Sequence, residues 1–107
     1  MSTVEQSPPA TADVQAPGPI PLVSVVIPCL NEEQNIEQCV REARAALMDG
    51  ELAGEVLVVD NDSEDRSALL AEAAGARVIL EPRRGYGSAY LAGFAAARGE
   101  YIVMADA

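Results

Sequence analysis

The sequence predicts an α/β fold, a Rossmann-like parallel sheet built in βαβαβαβ order. Three observations carry this expectation. Short apolar runs rich in β-branched residues recur at Val23–Ile27, Glu55–Asp60, Arg77–Leu80 and Tyr101–Ala105. Between them lie stretches of helical period, with apolar residues returning at i, i+3, i+4 and i+7. The connections are short and punctuated by Pro, Gly, Asn and Asp. Strands alternating with amphipathic helices read as βαβ units with parallel pairing and right-handed crossovers.

Residues 1–21 hold five prolines among Ala, Ser, Thr and Gln and show no period, so they read as a disordered leader. The folded domain is expected over residues 22–107. Its first strand, Val23–Ile27, is expected to end at Pro28, with Asn31 opening a helix three residues later. Ile36, Cys39, Val40, Ala43, Ala46 and Leu47 form one apolar stripe, predicting a helix from about Glu32 to Met48. Asp49, Gly50 and Gly54 mark the loop beyond it.

Glu55–Asp60 (EVLVVD) is nearly all apolar, as a strand covered on both faces requires. After a polar turn, Ser63 is the expected cap of a helix bearing Leu69, Leu70 and Ala73, and Gly75 stops it. Arg77–Leu80 is a third, shorter strand. Glu81–Ser88 (EPRRGYGS) is an Arg- and Gly-rich loop into a helix carrying Leu91, Phe94, Ala95 and Arg98, closed by Gly99. Tyr101–Ala105 is the fourth strand, with Asp106 at its end.

Composition narrows the function. The chain has 107 residues and net charge −10; its seven cations are all Arg, and it has no His. Such a chain suits neither nucleic acid nor an anionic membrane surface, and His-based metal sites and proton transfer are excluded. The two cysteines, Cys29 and Cys39, form no CxxC and read as small hydrophobes. No run approaches the ~20 apolar residues of a membrane span and no signal peptide leads the chain, so a cytoplasmic protein is expected.

Four polar sets fall at or just beyond strand ends: Asn31-Glu32-Glu33, Asp60-Asn61-Asp62, Arg83-Arg84-Gly85, and Asp106. In an open α/β sheet, ligands bind at that edge. Carboxylates gathered there would repel one another unless they met hydroxyls, base N–H groups or a cation.

Here the residues resemble a known family. VSVVIPCLNEEQNI, EVLVVDNDSEDRS and RRGYGSAYLAGFAAARGEYIVMADA, in this order, are similar to the nucleotide-sugar half of a family 2 glycosyltransferase with the GT-A fold. The nearest resemblance is to enzymes that move sugars onto polyprenyl phosphates, and it runs from Val23 to Ala107. The resemblance implies that the Pro28–Glu32 segment, Asn31 included, binds the nucleotide of a UDP- or GDP-type donor, with Pro28, Leu30 and Glu32 around its base and ribose. It gives Asp60 a nucleoside contact and brings the Arg84-Gly85-Tyr86-Gly87 loop to the diphosphate. Asp62 stands where the family usually has Gly, which matters for base selection if that position needs positive φ. Asp106 matches the first aspartate of the D-x-D motif, which holds Mg²⁺ or Mn²⁺.

The second aspartate would be residue 108. The resemblance therefore implies a donor-binding part truncated at D-x-D, with the acceptor site and any catalytic base beyond residue 107 and little turnover by this chain alone. A lipid-phosphate acceptor would bring a full-length form to the inner face of a membrane. Two alternatives stay open. Gly85-x-Gly87 opens a helix and Asp106 lies about 20 residues on, as in a dinucleotide-binding domain, although Tyr90 replaces the third glycine and the motif sits in the third βα unit. The other is an inactive fragment or partner-binding module.

Overall fold

The computed structural model describes residues 21–107. The expected leader therefore lies almost wholly outside the described residues. Seven elements follow in order: β1 (Val23–Cys29), α1 (Ile36–Asp49), β2 (Gly54–Asp60), α2 (Ser67–Ala73), β3 (Arg77–Leu80), α3 (Tyr86–Ala96) and β4 (Tyr101–Met104). The sheet is parallel with order β3-β2-β1-β4. This is the predicted α/β architecture, with the fourth strand beside the first.

The two-residue alternation of strand side chains divides the core into two layers. On one face Val25, Ile27, Val56 and Val58 pack against α1 and α2 through Ile36, Val40, Leu47 and Ala71. On the other, Val26, Leu57 and Val59 meet α3 through Ala89. The second contact is close because α3 presents Gly93 to β1: a Cβ there would lie 2.5 Å from Val26 Cγ1.

Several boundaries differ from the sequence reading, each for a local reason. β1 runs through Pro28 to Cys29, opposite Val59 and Asp60. Val26 accepts the Ala105 N–H on the β4 side, so Pro28, two residues on, turns its missing donor to that same side, past the last β4 pairing. α1 starts at Ile36, not near Glu32. Asn31 takes φ +53°, and the Asn35 and Ile36 N–H groups both donate to Glu32 O, making a separate turn. Ser63 does not cap α2, which begins four residues later at Ser67. α3 starts at Tyr86, inside the stretch expected to be loop, and ends at Ala96 before Gly99. Gly75 does follow α2 with φ +110°, as its stop position requires.

Among the described residues, no helix is long and apolar enough to cross a membrane. Cys29 is buried and Cys39 partly so, both unpaired.

Candidate functional site

The carboxyl ends of β1 and β2 deliver Cys29 and Asp60 side by side in register. The ladder runs one step further on each side of β2. Asn61 N–H donates to Cys29 O at 2.7 Å and Glu81 N–H to Asp60 O at 2.9 Å. The four loops that follow the strands are thereby gathered on one rim. They enclose a cleft of about 310 Å³ whose lining includes Pro28, Leu30, Glu32, Asn61, Gly85 and Asp106.

Two loops are sewn together residue by residue. Asn31 N–H donates to Ser63 Oγ at 2.8 Å, while Asn31 Oδ1 accepts the Glu64 N–H at 2.8 Å. Glu32 N–H donates to the buried Ser67 Oγ at 2.8 Å, and Glu33 N–H to Asp65 Oδ2 at 3.2 Å. Glu33 Oε1 in return accepts the Arg66 N–H at 3.2 Å. Ser67 also donates to Asp65, and this hydroxyl contact is the main reason the Asp65 carboxyl sits below its ordinary range. The positive φ of Asn31 belongs to this seam, where its short side chain reaches across to accept the Glu64 N–H.

Asp60 is 4% exposed. Its Oδ2 accepts the Ser63 N–H at 3.2 Å, and its Oδ1 is buried without a protein partner. A buried acceptor left unmet costs about 1–3 kcal/mol, so this oxygen suits a donor supplied from outside the chain. Beside it the Cys29 thiol is pushed up to about 11 by burial, against the opposing Ser67 hydroxyl. At neutral pH it is a protonated thiol and no nucleophile.

The third loop is held from both ends. Asn61 Oδ1 accepts the Gly85 N–H at 2.8 Å, and its Nδ2 donates to Glu81 O at 2.9 Å and Arg83 O at 2.8 Å. Glu81 folds back to accept Arg83 N–H at 2.8 Å and Nε at 3.1 Å, and this pairing holds its carboxyl below the ordinary value. Arg84 points the other way, donating through Nη2 to Asp62 O at 3.0 Å with Asp62 Oδ2 3.5 Å from its Nε.

Of the residues singled out in the sequence, Pro28, Leu30, Glu32, Gly85 and Asp106 line one cleft. Asn31, Asp60, Asp62 and Arg84 do not. Asn31 lies in the seam, Asp60 is buried at the end of β2, and Asp62 and Arg84 pair on the outer rim. Sequence reasoning overlooked the roles of Asn61 and Ser67. Their chemistry was visible, a side-chain amide and a hydroxyl just past a strand, but their partners lie 20 to 35 residues away.

Among the described residues, the cleft lining carries two side-chain carboxylates, Glu32 and Asp106, and no Arg. Among the described residues no three His, Cys, Asp or Glu side chains gather closely enough to hold a metal ion by themselves. One or two carboxylates do suit a cation whose remaining ligands are waters and substrate phosphates, which is how Mg²⁺ is usually bound.

Known proteins share both sequence and geometry with this chain. The family described as glycosyl transferase family 2 matches residues 24–107. The low-salt glycan biosynthesis hexosyltransferase Agl6 of Haloferax volcanii is 49% identical over 87 residues, covering 81% of this chain and 21% of that protein. The undecaprenyl-phosphate 4-deoxy-4-formamido-L-arabinose transferase of Pseudomonas aeruginosa is 43% identical over 98 residues, covering 85% of this chain and 29% of that protein. Among solved structures, mannosyl-3-phosphoglycerate synthase from Rubrobacter xylanophilus superposes with a TM-score of 0.75 at 30% identity, over 81% of this chain and 30% of its own. Glucosyl-3-phosphoglycerate synthase from Mycobacterium tuberculosis, crystallised with Mn²⁺, UDP-glucose and phosphoglyceric acid, superposes at 0.68 with 34% identity, over 80% of this chain and 33% of its own. The chain thus spans about a fifth to a third of the length of these relatives. The dinucleotide-binding alternative gives way to these matches, and the sheet has the GT-A architecture of the two synthases. The chain belongs to glycosyl transferase family 2.

Proposed function

We propose that this chain forms the donor-binding part of a glycosyltransferase that moves a sugar from a nucleoside-diphosphate sugar to an acceptor such as a polyprenyl phosphate. The observation that carries the reading is the orphaned Oδ1 of Asp60, buried at the rim where the strand ends converge. A nucleoside would supply the missing donor from its base or ribose. Pro28, Leu30 and Glu32 would flank that nucleoside, with Asn31 fixing their loop through its bonds to Ser63 and Glu64. Gly85 and Arg84 would face the diphosphate, Arg84 after leaving Asp62.

A diphosphate entering a cleft lined by Glu32 and Asp106 meets like charge, which argues for a divalent cation held by Asp106 and phosphate oxygens. Mg²⁺ or Mn²⁺ bound there would act as a Lewis acid toward the departing diphosphate. In the transfer, the bond from the anomeric carbon to the diphosphate oxygen breaks and a bond to the acceptor oxygen forms. A phosphate acceptor arrives already ionised and needs no base from this chain. With a lipid-phosphate acceptor, the longer enzyme would work at the cytoplasmic face of a membrane.

The test is a melting panel on the purified chain with UDP, GDP or ADP plus Mn²⁺, and with NAD or NADP, repeated on Asp60→Ala. A ligand selective for the folded state stabilises it by about 2.7 kcal/mol at a hundred times its Kd. One nucleoside diphosphate is expected to raise the melting temperature of the native chain and to lose that effect in Asp60→Ala. A shift with NAD alone would overturn the reading.

A further inference from the structure

We propose that Asn61 is the positioning residue that sets the Glu81–Gly85 loop, and with it the first turn of α3, for the donor's diphosphate. The inference rests on the donor-binding reading above. Asn61 is 5% exposed, and its amide is spent entirely on that loop. The acceptor oxygen takes the Gly85 N–H at 2.8 Å, and the two amide hydrogens go to the Glu81 and Arg83 carbonyls at 2.9 and 2.8 Å. One side chain therefore fixes three points of a five-residue span.

Only an amide can do this. The loop offers one donor and two acceptors, and a carboxylate in the same place would face two carbonyl oxygens with nothing to donate. Within the loop, Glu81 adds a tether to Arg83 but none to the rest of the sheet. Anchorage to the end of β2 thus rests on the Glu81 N–H bond to Asp60 O, on the exposed Arg84 contact with Asp62, and on the buried Asn61 amide. Gly85, at φ +126°, is the hinge from which α3 departs. Its own N–H is occupied by Asn61, while the Tyr86, Gly87 and Ser88 N–H groups have no intrahelical acceptor in the first turn. Where those groups point is decided by where Gly85 is held. Gly85, Tyr86 and Asn61 line the cleft together with Asp106.

The base-side residues are held by bonds of their own, and the two loops also meet at the exposed Arg84 contacts with Asp62 and Glu64. Leu30, Asn31 and Glu32 belong to the loop sewn to Ser63, Glu64 and Ser67, which shares no hydrogen bond with the Asn61 amide. Loss of Asn61 should weaken the diphosphate contribution to binding and leave the nucleoside contribution intact.

The experiment measures UDP against uridine, or GDP against guanosine if the melting panel selects that base, by calorimetry with Mn²⁺ on the native chain, Asn61→Ala and Asn61→Asp. Asn61→Ala is expected to bind the nucleoside diphosphate about tenfold or more weakly, while nucleoside affinity stays within about twofold. In Asn61→Asp, a carboxyl group protonated at low pH regains one donor. Its affinity for the diphosphate relative to the native chain should therefore rise as pH falls from about 8 to 5.5, a profile that a merely structural residue would not produce. Unchanged diphosphate binding in Asn61→Ala, or equal loss of nucleoside and diphosphate, would overturn the proposal and leave the donor-binding reading standing. If Asn61→Ala does not fold, the Asn61→Asp pH series decides alone, and a flat ratio overturns the proposal. If the native chain binds no nucleoside diphosphate, the donor-binding reading has failed and this proposal falls with it.

Discussion

Asp62 illustrates how far a single residue can be read. The resemblance implies Gly at its place, and the backbone there takes φ +73°. An L-residue in this region carries strain of the order of 1 kcal/mol, less for Asp than for most because its short side chain bonds locally. Asp62 meets Arg84 across 3.5 Å, an exposed pair that contributes little. Asp62→Gly should release the strain while loosening the unfolded chain, with a net gain of up to about 0.5 kcal/mol. A melting temperature that falls in Asp62→Gly would mean that the Arg84 contact is worth more than the strain. The conditional importance of Asp62 was legible because a positive-φ demand and a Gly-to-Asp departure both concern one local residue. Asn61 was not. Its side chain is addressed to backbone groups of another loop, and no local pattern encodes a partner 20 or more residues away.

At the scale of elements, the sequence specified strands and helices through periodicity and erred where long-range contacts set boundaries. The apolar period begins only at Ile36, and α1 starts there, after a separate turn in which the Asn35 and Ile36 N–H groups donate to Glu32 O while Glu32 and Glu33 bond across to Ser67 and Asp65. Ser63 has the chemistry of a cap but serves Asn31 instead, and Ser67 serves Glu32. α3 is the element most exacting about side-chain size, because Gly93 lies directly over Val26 and Val59. Gly93→Val should push α3 from the sheet and lower stability by about 1–3 kcal/mol, read as a reduced urea midpoint at an unchanged slope. An unchanged midpoint would mean that α3 can slide without loss. The far end of α3 is tied through Glu55. Its carboxylate accepts from the Ser24 hydroxyl at 2.6 Å, from the Arg98 N–H at 2.8 Å, and from Arg77 at 3.0 Å. Burial works to raise the Glu55 carboxyl, but these donors outweigh it and hold it below the ordinary value.

The whole molecule inherits two consequences. Glu55, Asp65 and Glu81 all sit below their ordinary values in the folded state. Their contribution to stability is complete above the unfolded values, near 4, and is lost as pH falls through the lowered folded ones. Melting temperature should thus change little from neutral to about pH 5 and drop below about 4, and Glu55→Gln should make that acid limb shallower. A parallel acid limb in Glu55→Gln would remove Glu55 from the account. The other consequence concerns the edge of the sheet. β4 pairs with β1 alone, and among the described residues all four of its side chains are exposed, Tyr101 by 61% and Val103 by 49%. An apolar strand with an open edge invites a second copy to pair with it. What opposes this is charge: two copies of a chain at net charge −10 repel, and salt screens that repulsion over about 10 Å at 0.1 M. Association should therefore grow with protein concentration and with added salt, the reverse of an ion-pair interface. Ile102→Lys, a charge on the edge strand, should return the molecule to monomer at all salt concentrations by sedimentation equilibrium. A native chain that stays monomeric in high salt would show that the β4 edge is protected by something other than charge.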